Sequence, residues 1–498
     1  MSAYFQRFAE ILKRNAIPII YTSTALVLIC ISVVNHEIWL DESQHYLLAK
    51  NSSTFGDLLT SMQYESHPPL WNFLLKLLHI NSVSQLQFLH IGIAGLIMIL
   101  ISFFSPYSQW VKICMVYSYF FSFEYSEIAR NYGLSIFFLL LATCLYTYKK
   151  KHILLISFLL GLAALTHIYA GLISGLIFVY FIYSRKISAY SLNSILASSF
   201  LLVACFAMAI YTSWPQPDHF LYHYHQSSLV SVDRIASSIS LPFKVFLHFP
   251  DITSDNWWNT NLFFPQSKIG GSILALVVWI LPLLYFIHSK KIMLLYLLGS
   301  ISLTLLLALT PMPLSLRHGG FFIVLFFICL WIDQSEGKQL IQSKRLRLLK
   351  NSLAVIFFAV QVSAAFVTHI YEWNNPFSNG KSVAGYFQSR GIEGDQVCVY
   401  PHYSGPAVSA YMNQDIFYSE RNVEGSFANW SIKNFEIPID TMLLRCYRRQ
   451  ELTGKEMFIA SSVPLDSATS EFTVKEIISF DGACVQAENY KVYTIGKR

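Results

Sequence analysis

Two acids stand side by side at Asp41-Glu42, directly after the first long apolar run, in a stretch from Trp39 to Trp71 that closes on His67-Pro68-Pro69. Adjacent carboxylates at the edge of an apolar segment lose hydration and raise each other's pKa, so stability alone does not account for them. A carboxylate so placed can take a proton from a hydroxyl or an amine. Further along the chain come Glu124, Glu127 and Arg130 in EYSEIARN, then Tyr132, His167, Tyr169 and the pair Arg317-His318. Each has a plainer reading. The acidic pair suits a helix start, the prolines punctuate one, Glu124, Glu127 and Arg130 suit ion pairs at i,i+3, His167 suits a turn, and Arg317 suits an interfacial side chain. Their common placement argues for chemistry.

Composition says what kind of element must hold these positions. The chain has 498 residues, 54% hydrophobic and 13% charged, against about 25% charged in soluble domains. It is expected to be a polytopic α-helical membrane protein. The net charge of +6 therefore reads as topology before it reads as an anionic partner. Basic residues form short clusters beside apolar runs and no aromatic-interleaved stripe, so no nucleic-acid partner is expected.

Arg7, Lys13 and Arg14 precede the apolar run Ile17 to Val34, and no cleavage site follows it, so the N-terminus is expected in the cytoplasm and the Asp41 loop outside. Pro69 to Ile80 is too short for the ~20 residues of a span and reads as an interfacial helix after its prolines. Spans are expected at Phe88 to Phe104, at Val111 to Phe123, and from the EYSEIARN break to Lys149-Lys150-Lys151. The long run Ile153 to Tyr183, interrupted at Thr166-His167, allows one tilted span or two short ones. Two crossings keep Arg185-Lys186, Lys290-Lys291 and the cluster Lys338, Lys344, Arg345, Arg347 and Lys350 in the cytoplasm, so parity favours two. Further spans at Leu192 to Thr212, Ile269 to Ile287, Ile292 to Leu309, from Gly319, and at Ser352 to His369 bring the count to about eleven.

The expected organisation is a membrane unit over 1–371, with outer loops at 36–87 and 213–268, followed by an extracytoplasmic α/β domain over 372–498. In the latter, short runs such as QVCVY, EMFIA, VKEIISF and YKVYTI alternate with helix-like AVSAYMN. Of the eight cysteines, Cys30, Cys114, Cys144, Cys205 and Cys329 lie in apolar runs. Cys398, Cys446 and Cys484 allow at most one internal disulfide, and no His/Cys ligand spacing supports a metal or redox motif.

This topology collects Asp41, Glu42, His67, Glu124, Glu127, Arg130, Tyr132, His167, Tyr169, Arg317 and His318 at the outer turns. Arginines level with a carboxylate can neutralise a lipid-linked phosphate as leaving group. Nucleotide donors fit less well, because no Gly-rich phosphate loop is present.

The Asp41-Glu42 pair after the first span, the loop ending His67-Pro68-Pro69-Leu70, the turn Glu127…Ala129-Arg130-Asn131-Tyr132-Gly133 and the Arg317-His318 start of a late span together resemble the GT-C glycosyltransferases. The likeness is to the protein O-mannosyltransferase and aminoarabinose (lipid A) transferase branch. It covers about residues 15 to 335 in layout. The resemblance implies an inverting transferase that takes a sugar from a polyprenyl-phosphate donor on the outer face of a bacterial-type inner membrane. Asp41 would be the base with Glu42 its neighbour, Arg130 and Arg317 would meet the donor phosphate, and His67 would serve the donor or acceptor end of the loop. No metal and no cofactor are implied. The acceptor is left open among lipid, glycan and protein. This sequence departs from many relatives in reading Ala-Arg-Asn-Tyr for Ala-Arg-Pro-Tyr and Arg-His for Arg-Tyr. A transporter or flippase of lipid-linked sugars and a non-catalytic envelope assembly protein stand as alternatives; against the former, the ionisable groups lie at span ends and no inverted repeat is seen.

Overall fold

The computed structural model describes residues 15–498 except 149–151, 185–189, 221–230, 255, 265–267, 311–313, 337–342, 435–436 and 466–470. The basic residues Arg7, Lys13 and Arg14 and the clusters Lys149-Lys150-Lys151, Arg185-Lys186 and Lys338 lie outside the described residues.

Helix α1 (Ala16–Asn35) is a nearly uninterrupted apolar run. Its Pro18 falls in the first turn, where no intrahelical N–H is required. Two short polar-flanked helices follow. Helix α2 (Leu40–Asn51) carries Asp41 and Glu42 in its first turn. Helix α3 (Phe55–Ser61) is closed by a reciprocal capping box, Thr54 Oγ1 accepting from Asp57 N at 3.0 Å while Asp57 Oδ2 accepts from Thr54 N at 2.9 Å. Helix α4 (Leu70–Leu77) starts directly after Pro68-Pro69 and buries Trp71, Asn72 and Leu75 while Leu77 stays exposed, as an amphipathic segment should.

Helix α5 (Val83–Ile99) continues as a π-turn to Phe104. The expected third span is broken instead of straight: α6 (Gln109–Val116) stops, and a π-turn over Phe120–Glu124 restarts the chain. Burial permits the break: Phe120, Phe121 and Phe123 are all packed inside the protein, where irregular backbone is tolerated at membrane depth. Helix α7 (Asn131–Tyr148) follows. The ambiguous run then resolves into α8 (Ile153–Thr166) and α9 (Ile168–Ser184), with His167 extended between them at φ −153°.

Helices α10 (Leu192–Ser213), α11 (Val232–Phe246), α12 (Lys268–Ile280), α13 (Lys290–Leu309), α14 (Leu316–Ser335) and α15 (Lys344–Asn374) complete the bundle. Among the described residues seven helices are long and apolar enough to cross a membrane, namely α1, α5 with its π extension, α7, α10, α13, α14 and α15; the apolar helices α8 and α9 and the segment Ile273–Phe286 are shorter. The protein is therefore polytopic and helical. Helix α14 is the hub, 89% of its apolar window being buried in protein, whereas only 17% of that of α10 is. Phe200, Val203 and Tyr211 of α10 face outward, as lipid-facing side chains do.

The C-terminal segment forms a six-stranded sheet in the order β3-β2-β1-β4-β6-β5. Its strands are β1 (Val397–Tyr400), β2 (Ile416–Tyr418), β3 (Val423–Gly425), β4 (Phe458–Ser461), β5 (Phe472–Phe480) and β6 (Tyr490–Lys497). Strand β1 runs parallel to β2 and β4, and the remaining pairs are antiparallel. Helices α16 (Gly380–Ser389) and α17 (Gly405–Met412) pack on one face through Val383, Phe387, Val408 and Met412, and α18 (Ile439–Thr453) packs on the other through Met442, Leu443 and Cys446. This is the small α/β arrangement that the alternating short runs predict. All eight cysteines are free thiols.

Candidate functional site

Asp41 lies at the first turn of α2, and the C-terminal segment fixes that turn from outside the bundle. Leu40 N donates to Glu488 Oε1 at 2.6 Å and Ile38 N donates to the Tyr411 hydroxyl at 2.8 Å. A carboxylate more than four hundred residues away thus satisfies a donor that a helix start leaves orphaned. Farther along α2, the Gln44 side chain clasps Ala428 with two bonds, accepting from its N–H and donating to its carbonyl, each at 2.9 Å.

Arg130 and Arg317 converge on Asp41 from two other elements. Arg130 Nη1 is 2.7 Å and Arg317 Nη1 2.8 Å from the same oxygen, Asp41 Oδ2. Burial by itself would raise the Asp41 carboxyl, but the two guanidinium charges outweigh it and hold the group at about 2. Its side chain keeps 22% exposure toward a cavity of about 470 Å³, within the size range of small-molecule sites. Arg130 Nε and Arg317 Nε find no hydrogen-bond acceptor among the described residues.

The arginines are held without further acids. Arg317 sits between two indoles, 5.2 Å from the Trp39 ring centre and 5.4 Å from that of Trp258, a cation–π clamp. Trp258 is in turn anchored by its Nε1–H donating to Glu124 Oε2 at 2.9 Å, an oxygen that also accepts from the Tyr119 hydroxyl at 2.9 Å. Tyr125 donates to the Arg317 carbonyl at 2.6 Å. That approach requires Gly320, since a Cβ there would lie 2.0 Å from the Tyr125 hydroxyl. Arg130 lies beside the Tyr132 ring, 5.9 Å away, and its Nη2 donates to His67 Nε2 at 3.3 Å. Burial first and Arg130 second push His67 down to about 3, so the imidazole is neutral and free to accept that bond.

The cavity wall takes Asp41, His67, Arg130, Tyr132, Arg317 and His318 from the residues singled out in sequence. Tyr132 packs against His167 at a tilt of 39° with centroids 4.6 Å apart, and Tyr169 meets His318 at 5.3 Å, so His167 and Tyr169 form the layer behind those rings. Glu42, Glu124 and Glu127 are also behind the wall. Glu124 and Glu127 do not pair with Arg130: Glu124 holds Trp258, and Glu127 Oε2 lies 3.0 Å from His369 Nδ1.

Sequence reasoning missed several wall residues. Glu65 accepts from Gln44 Nε2 at 2.7 Å, and burial pushes its carboxyl up to about 7, the Gln44 bond opposing it. Ser66 adopts φ 52° between Glu65 and His67, turning the chain so that both reach the cavity. The triplet Glu65-Ser66-His67 was a usable signal. Trp430 and Gln486, which the C-terminal segment contributes to the wall, carry none that can be read locally.

No protein-family model matches this chain, and no curated protein matches it.

Proposed function

We propose that this chain is an integral-membrane glycosyltransferase that moves a sugar from a polyprenyl-phosphate donor to an acceptor at the outer face of a bacterial-type cell membrane, with inversion. The observation that carries the reading is one carboxylate oxygen shared by two clamped arginines in a cavity walled by aromatic rings. Fixed guanidinium groups with donors to spare recognise a phosphate, and indole faces suit a sugar ring. In the resting state Asp41 at about 2 is a weak base. A donor phosphate arriving on Arg130 and Arg317 draws their charge away from it, so its carboxyl rises toward the ordinary range and gains basicity in the loaded enzyme.

The acceptor oxygen then attacks the anomeric carbon on the face opposite the phosphate. Its proton passes to Asp41, the bond from carbon to phosphate oxygen breaks, and the leaving polyprenyl phosphate keeps the electron pair beside the arginines. Glu65 near neutrality lines the same cavity and is suited to a hydrogen bond with a sugar hydroxyl. The eleven-span reading counts the seven long helices, the three shorter apolar segments and the broken stretch 109–124. It is supported by Lys290, Lys291, Lys344, Arg345 and Arg347, which start helices whose far ends lead toward the cavity.

The test is to incubate purified protein with a panel of polyprenyl-phosphate sugars and envelope extract. Asp41→Asn is expected to lower transfer about 10²- to 10⁴-fold, the usual contribution of a positioned base. Equal transfer by both proteins would remove the assignment.

A further inference from the structure

Behind the cavity lies a second polar cluster. His36, which ends α1, Glu127 before α7 and Glu372 near the end of α15 bring one ligand atom each to within 4.8 Å of one another. None lines the cavity. His36 is 2%, Glu127 1% and Glu372 8% exposed. A further carboxylate orients His36, whose Nε2 lies 2.8 Å from Glu42 Oε2; His369 Nδ1 lies 3.0 Å from Glu127 Oε2 but is hydrogen-bonded to Ser32 Oγ at 2.9 Å.

Three carboxylates and two imidazoles are therefore enclosed together. If His36 donates its Nε2–H to Glu42, its Nδ1 lone pair points at Glu372 Oε1, 2.5 Å away, and two acceptors at that distance need something positive between them. An imidazolium would serve that one contact. It would leave the Glu127 and Glu372 carboxyls, both buried and short of donors other than one another, dependent on a shared proton to avoid negative charge that low-dielectric surroundings tolerate poorly.

We propose that His36, Glu127 and Glu372 bind a structural divalent cation of the Zn²⁺ or Mn²⁺ class. One imidazole and two carboxylates form a ligand set these ions accept, and ligands at ~2.1 Å from one ion stand up to ~4.2 Å apart, so rotamer-scale movement closes the site. Glu42 supplies the outer layer, the imidazole of His36 being aimed by its bond to Glu42 as metal-bound histidines usually are. The ion's place in the fold is a junction. It ties the end of α1 to the end of α15, and Glu42 Oε1 accepts from Ala129 N at 2.5 Å, one residue before the arginine that meets Asp41. The ion buttresses the cavity from behind and touches no substrate. This inference is independent of the transferase reading.

Metal analysis of protein purified without chelator, then stripped with EDTA and reloaded with Zn²⁺ or Mn²⁺ alone, tests it. Expected is about one tightly held ion per chain, with stoichiometry lost in Glu127→Gln and Glu372→Gln and a thermal midpoint that falls on stripping and returns on reloading. A protein that takes up neither ion overturns the site and leaves the cluster held by protons. Undiminished binding in both variants places the ion elsewhere and also overturns it. If the variants fail to fold, the stripping and reloading of the unaltered chain decides: a midpoint indifferent to both ions is the negative result.

Discussion

Asp41 and Glu42 are neighbours in the chain and belong to two regions of opposite electrostatic character. In front, one carboxylate faces two arginines that retain unused donors. Behind, Glu42 joins two more carboxylates around His36 and His369. The front is short of negative charge and the back is short of positive charge. On the proposed function each takes a partner of the sign it lacks: an anionic ligand in the cavity, and a cation or protons in the cluster. The ~100° between successive residues of α2 turns Glu42 away from the arginines and leaves them with Asp41 alone of that pair.

The sharpest way to break this comparison is to neutralise the neighbours one at a time. Asp41→Asn should reduce turnover by the 10²- to 10⁴-fold given above and cost roughly 2 kcal/mol of stability at neutral pH, the carboxyl being held, against its burial, at about 2 by Arg130 and Arg317. Glu42→Gln should act mainly on stability, destabilising the protein by about 3–5 kcal/mol, because one amide oxygen cannot serve both His36 and Ala129 N and the buried donor left over meets an N–H. Equal effects of the two on turnover and on unfolding would merge the regions.

Next in size is a pH effect on stability. Glu65 rises from its ordinary 4.5 to about 7 in the folded chain. The folded state therefore holds a proton that the unfolded chain releases, and the stabilisation present below about 4.5 is lost as pH climbs through about 7. The loss approaches roughly 3 kcal/mol. In Glu65→Gln the fall should shrink by that amount, which differential scanning of detergent-solubilised protein at pH 5 and pH 8 would register. A slightly smaller change is expected for Arg317→Ala, which should weaken donor binding by about 1.5–3 kcal/mol, the worth of a charge-assisted hydrogen bond, while leaving the acceptor's KM nearly unmoved. Matched losses for donor and acceptor would argue against a phosphate at this arginine. Smallest is Trp258→Phe. It keeps a ring over Arg317 but removes the bond to Glu124, at about 1 kcal/mol in thermal unfolding.

Much of this was legible without coordinates. The break at EYSEIARN, the helix after Pro68-Pro69 and the interruption at His167 are local signals, and each appears in the fold where periodicity and turn chemistry put it. The gathering of Asp41, His67, Arg130 and Arg317 followed from counting crossings. The segment from Val111 to Phe123 was read as a regular span because hydropathy does not distinguish a lipid-facing run from one buried in protein. The role of Glu124 was also hidden: its partner Trp258 lies in a distant loop, and an i,i+3 pattern offers Arg130 instead.

The sequence by itself determined that the chain is an apolar helical bundle ending in a small α/β unit, and that its ionisable groups sit at the ends of helices, since hydropathy and spacing carry that information along the chain. Only the tertiary structure decided that Asp41 looks forward and Glu42 back. Successive residues on a helix point ~100° apart, and which of those directions meets arginine and which meets histidine depends on Arg130, Arg317 and His36 arriving from elements that share no local signal with α2. The same holds for Glu488 and Ala428, whose grip on α2 makes the C-terminal segment a part of the cavity's frame.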